Sequence, residues 1–353
     1  MKNFWSTLPR PIVGLSPMDG VTDHPYRYIQ KKYGNPDVVY TEFTSVEGVC
    51  HGADRLLQDF LFDETQRPIV AQIYGTTPQF FRETATLLCQ LGFDGIDINM
   101  GCPAKNVAHS GAGAALITTP DLAKTIVTQT KAGVTDWAEG KSAINCSHIS
   151  ETIAKEVQKR HTALPAEYQS RNQVIPVSVK TRIGYDKPMA AEWVQHLLEV
   201  EPAVIALHGR TLKQQYSGLA DWDEIARAAE VIKHTNTLVF GNGDTKNRNH
   251  AVELSQKYNI DGVLIGRSSF GNPYVFLPEG ERPKKNIFQV ALEHTQLYQD
   301  TYAHHERYSF LPMRKHLGWY VRSIPNAKEV RRQLFQTNTT DDVKHVFLAY
   351  NLL

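Results

Sequence analysis

Cysteine is scarce here: Cys50, Cys89, Cys102 and Cys146 are the only four in 353 residues. Four irregularly spaced thiols make neither a disulfide scaffold nor a paired zinc site, so the expectation is a reducing compartment and no metal centre. Nothing approaches the roughly 18 consecutive apolar residues of a membrane-spanning helix. The opening MKNFWSTLPR also lacks the apolar stretch of a secretion signal. A cytoplasmic protein with no membrane partner is therefore expected. Internal repeats and low-complexity segments are absent, which excludes solenoids. Charge of one sign is not in excess either: the formal net charge is +1, so the chain as a whole does not announce a polyanion partner. No feature announces a protein partner, and a monomer is expected.

With 41% hydrophobic residues, the chain can bury a large core. Short β-rich apolar runs alternate with helical patterns up to about residue 275, the rhythm of a parallel α/β fold. Strands are expected at Ile12–Leu15, Val38–Thr41, Ile69–Ile73, Gly95–Ile98, Val177–Lys180, Val204–Leu207, Leu238–Phe240 and Val263–Ile265. Helices are expected between them at Pro78–Leu91, Asp121–Lys131, Ala190–Val200, Asp223–His234 and Arg248–Tyr258. Eight such units match a (β/α)8 TIM barrel better than an open doubly wound sheet. Polar residues follow the strands in phase: Ser16, Glu42, Gln72, Asn99, Lys180, His208, Asn242 and Gly266-Arg267. In a barrel these points share the rim where active sites are built.

Beyond Pro278 the pattern turns helical, with candidates at Ile287–Tyr302, Phe310–Val321, Val330–Gln336 and Thr340–Asn351. The division read from this is a catalytic barrel over 1–280 and a small α-helical domain over 281–353. From Glu281 to Phe335 there are ten Lys/Arg against five acids. A separate basic unit beside a near-neutral body fits an enzyme that holds a polyanion, and a solvated helix face would give the same count. The stretch from Cys102 to Lys180 is too long for one βα unit of about 31 residues, which implies an insertion at about 133–173. Its Ile149, Ile153 and Val157 share one helix face. If Asp121–Lys131 is the barrel helix, the insertion lies away from the rim; if the inserted helix takes that place, it lies on the rim.

Gly241-Asn242-Gly243-Asp244 and Gly266-Arg267 follow the seventh and eighth strands, where barrels commonly hold a phosphate. Glycines admit backbone amides close to an anion, Arg267 supplies a positive fork, and a following helix start would add to it. A phosphorylated cofactor is implied, and FMN is the common one on this layout. Lys180 and His208 would point into the barrel mouth, where a cation favours the anionic reduced flavin. Gln72 can both donate to and accept from the flavin edge.

Several stretches resemble, in family order across residues 12–320, the motifs of the tRNA dihydrouridine synthase family. They are Ser16-Pro17-Met18-Asp19-Gly20-Val21-Thr22-Asp23, Asn99-Met100-Gly101-Cys102-Pro103-Ala104-Lys105, Val179-Lys180-Thr181-Arg182-Ile183-Gly184, His208-Gly209-Arg210-Thr211, Gln215-Tyr216-Ser217-Gly218, Gly241-Asn242-Gly243-Asp244, Ile265-Gly266-Arg267 and Arg314-Lys315-His316. The resemblance implies an FMN-bearing barrel, a C-terminal helical domain that grips tRNA, and NADPH or NADH as reductant. Carried over by motif, Pro17, Met18 and Asp19 border the flavin, Gln72, Lys180 and His208 meet its ring, and Asn242, Gly243, Asp244, Gly266 and Arg267 hold its phosphate. Asn99 would bond the uracil edge or the flavin, and Lys105, Arg314, Lys315 and His316 would contact RNA. Cys102 matches the catalytic cysteine: hydride addition at uracil C6 leaves an enolate, and C5 then needs a proton from the opposite face. A cysteine of ordinary pKa, about 8.5, is mostly protonated at neutral pH and can give one.

The chain departs from the family at Asp19, where alanine is frequent, and at Asn106–Ser110, where Lys or Arg are frequent. Two other readings share these residues. A free-pyrimidine dehydrogenase would leave the basic helical tail unexplained, and a non-catalytic RNA-binding flavoprotein would leave Cys102 and Lys180 unexplained.

Overall fold

The computed structural model describes residues 3–169, 174–281, 283, 285–306 and 308–353, with backbone only at 105 and 106. Eight parallel strands, β1 (Ile12–Leu15), β2 (Val39–Ser45), β3 (Ile69–Tyr74), β4 (Gly95–Met100), β5 (Val177–Arg182), β6 (Val204–His208), β7 (Leu238–Asn242) and β8 (Gly262–Ile265), pair in the order β1-β8-β7-β6-β5-β4-β3-β2. The two outer strands then meet. Leu15 N donates to Val38 O and Asp37 N to Val13 O, both at 2.9 Å, so the ring closes as the expected α/β barrel. Helices cover the sheet's outer face and side chains fill its inside. Buried on both faces, strands such as β1 and β8 read as near-continuous apolar runs. The main departure among the expected strands is β2, which runs past Thr41 to Ser45 with a register shift between Tyr40 and Phe43.

The helices are α1 (His24–Gly34), α2 (Val46–Cys50), α3 (Pro78–Gln90), α4 (Lys105–His109), α5 (Pro120–Ala138), α6 (Glu151–Ala163), α7 (Ala166–Gln169), α8 (Ala190–Leu198), α9 (Trp222–Ile232), α10 (Arg248–Tyr258), α11 (Ile287–Tyr302), α12 (Leu311–Tyr320), α13 (Ala327–Leu334) and α14 (Thr340–Ala349). Local chemistry sets their ends. The Asp23 side chain accepts from Tyr26 N ahead of α1, and Asp221 does the same for Glu224 N ahead of α9. α1 stops where Asn35 turns left-handed. Inside the barrel, Tyr40, Val70, Val204, Ala206, Phe240 and Leu264 pack together with Trp5. The Trp5 ring meets Phe240 edge-on at 5.4 Å.

The insertion sits away from the rim, because α5 is the barrel helix between β4 and β5. It packs on α3 and α8. α6, capped by Ser150 with Ile153 and Val157 fully buried, docks on the end of α3 that leads into the start of β4. There Gln90 Nε2 donates to Gln158 at 2.8 Å, His161 Nδ1 lies 2.7 Å from Gln90 O, and Ala143 N donates to Gln90 Oε1 at 2.8 Å. The insertion therefore buttresses the barrel's outer wall.

The last four helices pack around Phe288, Val290, Met313, Leu317, Leu334 and Phe347, and this cluster also takes in Ile29 and Tyr33 of α1. Glu293 of α11 ties the contact: Lys32 Nζ lies 2.6 Å away, Tyr33 Oη donates at 2.6 Å and Lys285 Nζ lies 2.9 Å away. These three donors hold its carboxyl at about 2 despite burial. Removing these helices would uncover α1, so the two parts are energetically continuous.

Candidate active site

One cavity of about 1060 Å³ opens at the C-terminal ends of the strands, lined by residues from the ends of all eight strands or the loops that follow them. It brings together Pro17, Met18, Asp19, Gln72, Asn99, Cys102, Lys180, His208, Asn242, Gly243, Asp244, Gly266 and Arg267. Chain separations of up to 250 residues are closed by barrel geometry alone. Glu42, also expected on the rim, does not join them. It belongs to a separate cluster with Asp23 and Asp59 beside buried Arg27, where burial and those two carboxylates push its own carboxyl up to about 8.

At the β7–β8 side the site is built for an anion. Gly243 has φ +130°, and a Cβ there would stand 2.6 Å from Ala220 Cβ and 3.7 Å from His208 Nε2. Arg210, 2% exposed, turns Nη1 to this cradle, 3.8 Å from the same point, with no hydrogen-bond partner for that nitrogen among the described residues. A buried guanidinium nitrogen with no partner among the described residues, beside a glycine, is a ready phosphate donor, and Arg210 was missed as a site residue. The Asp244 carboxylate is engaged within the protein: it takes Arg210 Nη2 at 2.6 Å and Arg267 Nη2 at 3.1 Å. It aims two arginines at the cradle, and a carboxylate itself would repel phosphate. Asn242 is likewise turned to Leu264 O, at 2.8 Å, bracing β7 on β8. Of the helix starts expected after these loops, α10 (Arg248–Tyr258) follows the Gly243 loop, and only the three-residue 3-10 turn Arg267–Ser269 follows Gly266. At the β8 end the attraction comes from side-chain charge, chiefly Arg210 and Arg267.

His208 cannot supply the expected cation. Burial, with Lys180, Arg182, Arg210 and Arg267 around it, lowers its pKa to about 2, so the imidazole is neutral. Lys180 is the cation of this wall. Burial and neighbouring Arg182 lower it, with Asp97 opposing, to about 8. It is still mostly charged at neutral pH.

Across the cavity, Cys102 is 8% exposed. Burial pushes its thiol up, and Asp19 adds to this against the Ala104 N–H, Arg182 and Lys180, so the group is a thiol, not a thiolate, at neutral pH. Its loop is pinned throughout: Thr181 Oγ1 donates to Met100 O at 3.0 Å, Arg182 Nε to Gly101 O at 2.7 Å, and Ala114 N to Cys102 O at 3.3 Å. The Asn99 and Gln72 carboxamides, expected to face ligand, are engaged within the protein. Asn99 Oδ1 accepts from Gly101 N at 3.0 Å and Cys102 N at 2.9 Å, and Asn99 Nδ2 donates to Gln72 Oε1 at 3.0 Å.

The helical part reaches the cavity through α12 and the turn after it. Arg322 lines the cavity and donates to Phe270 O, and Trp319 stacks on Phe270 at 3.9 Å and 11°. Neither Arg322 nor Phe270 was anticipated. Lys315 donates to Gly20 O and stands over Trp319, while Arg314 donates to Thr337 O at 2.9 Å and Asn338 Oδ1 at 2.8 Å. Both hold the protein's own parts together at the surface. His316 is not available to RNA. At 1% exposure it packs on Tyr26, His294 and Trp319. Lys105 heads α4, and its side chain lies outside the described residues.

A profile of the dihydrouridine synthase (Dus) family matches residues 14–160 and 151–351. A probable tRNA-dihydrouridine synthase of Staphylococcus aureus (strain COL) is 36% identical over 353 residues, covering 97% of this chain and 94% of that protein. Probable tRNA-dihydrouridine synthase 2 of Bacillus subtilis (strain 168) is 34% identical over 349 residues, covering 97% and 95%.

Proposed function

The chain belongs to the dihydrouridine synthase family and is a flavin-dependent oxidoreductase that acts on tRNA uridines; on that premise we propose that its flavin is FMN, its reductant NADPH or NADH, its proton donor Cys102 and its workplace the cytoplasm. The observation that carries the FMN reading is the anion cradle of Gly243, Arg210 and Arg267, the one such cradle found among the described residues. One cradle suits one phosphate, and no second Gly-rich βα turn of dinucleotide type is present in the sequence.

When bound, FMN supplies the hydride that adds to C6 of uracil. The chain's residues do the rest. Arg210 and Arg267, aimed by Asp244, hold the phosphate, and Lys180 stabilises negative charge in the barrel mouth. The Cys102 thiol, kept protonated by burial, hands its proton to C5. The Phe270–Trp319 stack walls the cavity on the helical side, and Arg322 offers a cation to an RNA phosphate there.

Mass-spectrometric mapping of dihydrouridine in tRNA incubated with the purified protein and NADPH tests this. New dihydrouridine at defined uridines is expected; reduction of free uracil with no change in tRNA would overturn it. The pH profile is a second check. A lysine that must be charged stops working as pH rises through its own pKa, so Lys180-dependent flavin reduction should decline around 8 rather than near the ordinary lysine value of about 10.4. Neutral His208 should add no loss on the acid side above about pH 5. Lys180→Arg should move the alkaline limb upward, and an unchanged limb in that variant would remove Lys180 from the assignment.

A further inference from the structure

Below the cavity floor, Asp97 of β4 is 1% exposed and Gln72 of β3 fully buried. They stand side by side in the strand register, and Asn99 pairs with Lys180 one layer higher. Gln72 Nε2 donates to Asp97 Oδ2 at 2.7 Å, Gln72 Oε1 accepts from Asn99 Nδ2, and Asn99 Oδ1 accepts from the amides of Gly101 and Cys102. These four bonds form one directed chain from a buried carboxylate to the backbone of the reactive cysteine.

We propose that Asp97 is a positioning residue that sets the polarity of the Gln72–Asn99 amide relay and so holds the Cys102 loop in place. A carboxamide can present either end to its neighbour, and only a partner of one polarity decides which. A carboxylate offers acceptors alone. Facing it, Gln72 must turn its NH2 down and its oxygen up; Asn99 must then give its NH2 to Gln72 and keep its oxygen for two loop amides. If the relay ran the other way, the Asn99 NH2 would face two N–H donors, and buried donors left without an acceptor are costly. Asp97 Oδ1 has no hydrogen-bond partner among the described residues, so a proton taken up by this carboxyl goes there and Oδ2 remains an acceptor in either state. Burial favours that uptake, while the Gln72 bond and the Lys180 charge oppose it.

This inference rests on Cys102 being the proton donor, and its primary readout does not. In the flavin-loaded full chain, the rate of Cys102 alkylation by iodoacetamide is followed by peptide mass spectrometry. Asp97→Leu keeps a similar volume and removes the acceptor that faces Gln72, so the loop should loosen and alkylation should rise roughly tenfold, the factor expected from losing one to two net hydrogen bonds. Adding Asn99→Asp to that variant places an acceptor-only group directly under the loop and should return alkylation to the parental rate. Single-turnover dihydrouridine formation by pre-reduced enzyme should fall by a similar factor in Asp97→Leu. Parental alkylation in Asp97→Leu, or a fast rate that Asn99→Asp does not correct, overturns the relay. If Asp97→Leu does not fold, Gln72→Met cuts the same chain one link higher and must also raise alkylation. A parent enzyme that forms no dihydrouridine would refute the assigned reaction and leave the alkylation contrast to decide the relay on its own.

Discussion

Cys102→Ala should abolish most dihydrouridine formation while the bound flavin still bleaches with NADPH. The two half-reactions make different demands on the site. Reduction from the nicotinamide needs the flavin, its anchoring arginines and Lys180, none of which touches Cys102 through a hydrogen bond. Completing reduction of uracil needs a proton delivered to C5, and loss of a positioned general acid typically costs about 10²–10⁴ in rate. Because the thiol is buried with a raised pKa, it is a donor already loaded at neutral pH, and alanine leaves only a poorly placed water. Stopped-flow bleaching and mass-spectrometric counting of dihydrouridine measure the two steps separately. Alanine at Cys50, Cys89 or Cys146, none of which lines the cavity, should leave both near parental. Parental dihydrouridine formation by Cys102→Ala would move the proton donor elsewhere.

Gly243→Val should yield protein that no longer retains flavin. Two effects act together. The residue sits at φ +130°, a region open to glycine and strained for side chains. A Cβ there would also meet Ala220 at 2.6 Å and occupy the cradle that Arg210 and Arg267 flank. The intended ligand and the new side chain would compete for one space. Arg267→Ala is the milder companion. It removes one charge-assisted donor set, worth roughly 1.5–3 kcal/mol, so the FMN dissociation constant should rise about 10- to 150-fold with the fold intact. Flavin absorbance after gel filtration and titration of the stripped protein measure both. A yellow, stoichiometrically loaded Gly243→Val would disprove the cradle.

Much of the barrel was legible because strand patterning is local. Runs such as Ile12–Leu15 and Val204–Leu207 are apolar on both faces, and that requires a sheet covered on both sides. The polar residues just beyond them could be placed on one rim by topology alone. Residue roles were less legible, since a side chain's role depends on who stands beside it. Asp244 reads as a phosphate-loop residue until Arg210 and Arg267 are seen on its two oxygens. His208 reads as a cation until four real cations surround it. His316 belongs to a basic-looking triplet, yet helical phase turns it into the core while Lys315 faces out.

The chain by itself therefore determined what short-range chemistry can specify: the βα rhythm, the helical tail, the glycines that permit an anion cradle, and a lone cysteine three residues after a strand-end asparagine. Only the tertiary structure decided the rest. The insertion lies against α3 because Gln90 offers it partners there, and Arg322 reaches the cavity because Trp319 stacks on Phe270. Asp97 governs Cys102 because register sets Gln72 beside it. These are contacts between residues distant in the chain, and their directions and charges follow from packing geometry that no local pattern encodes.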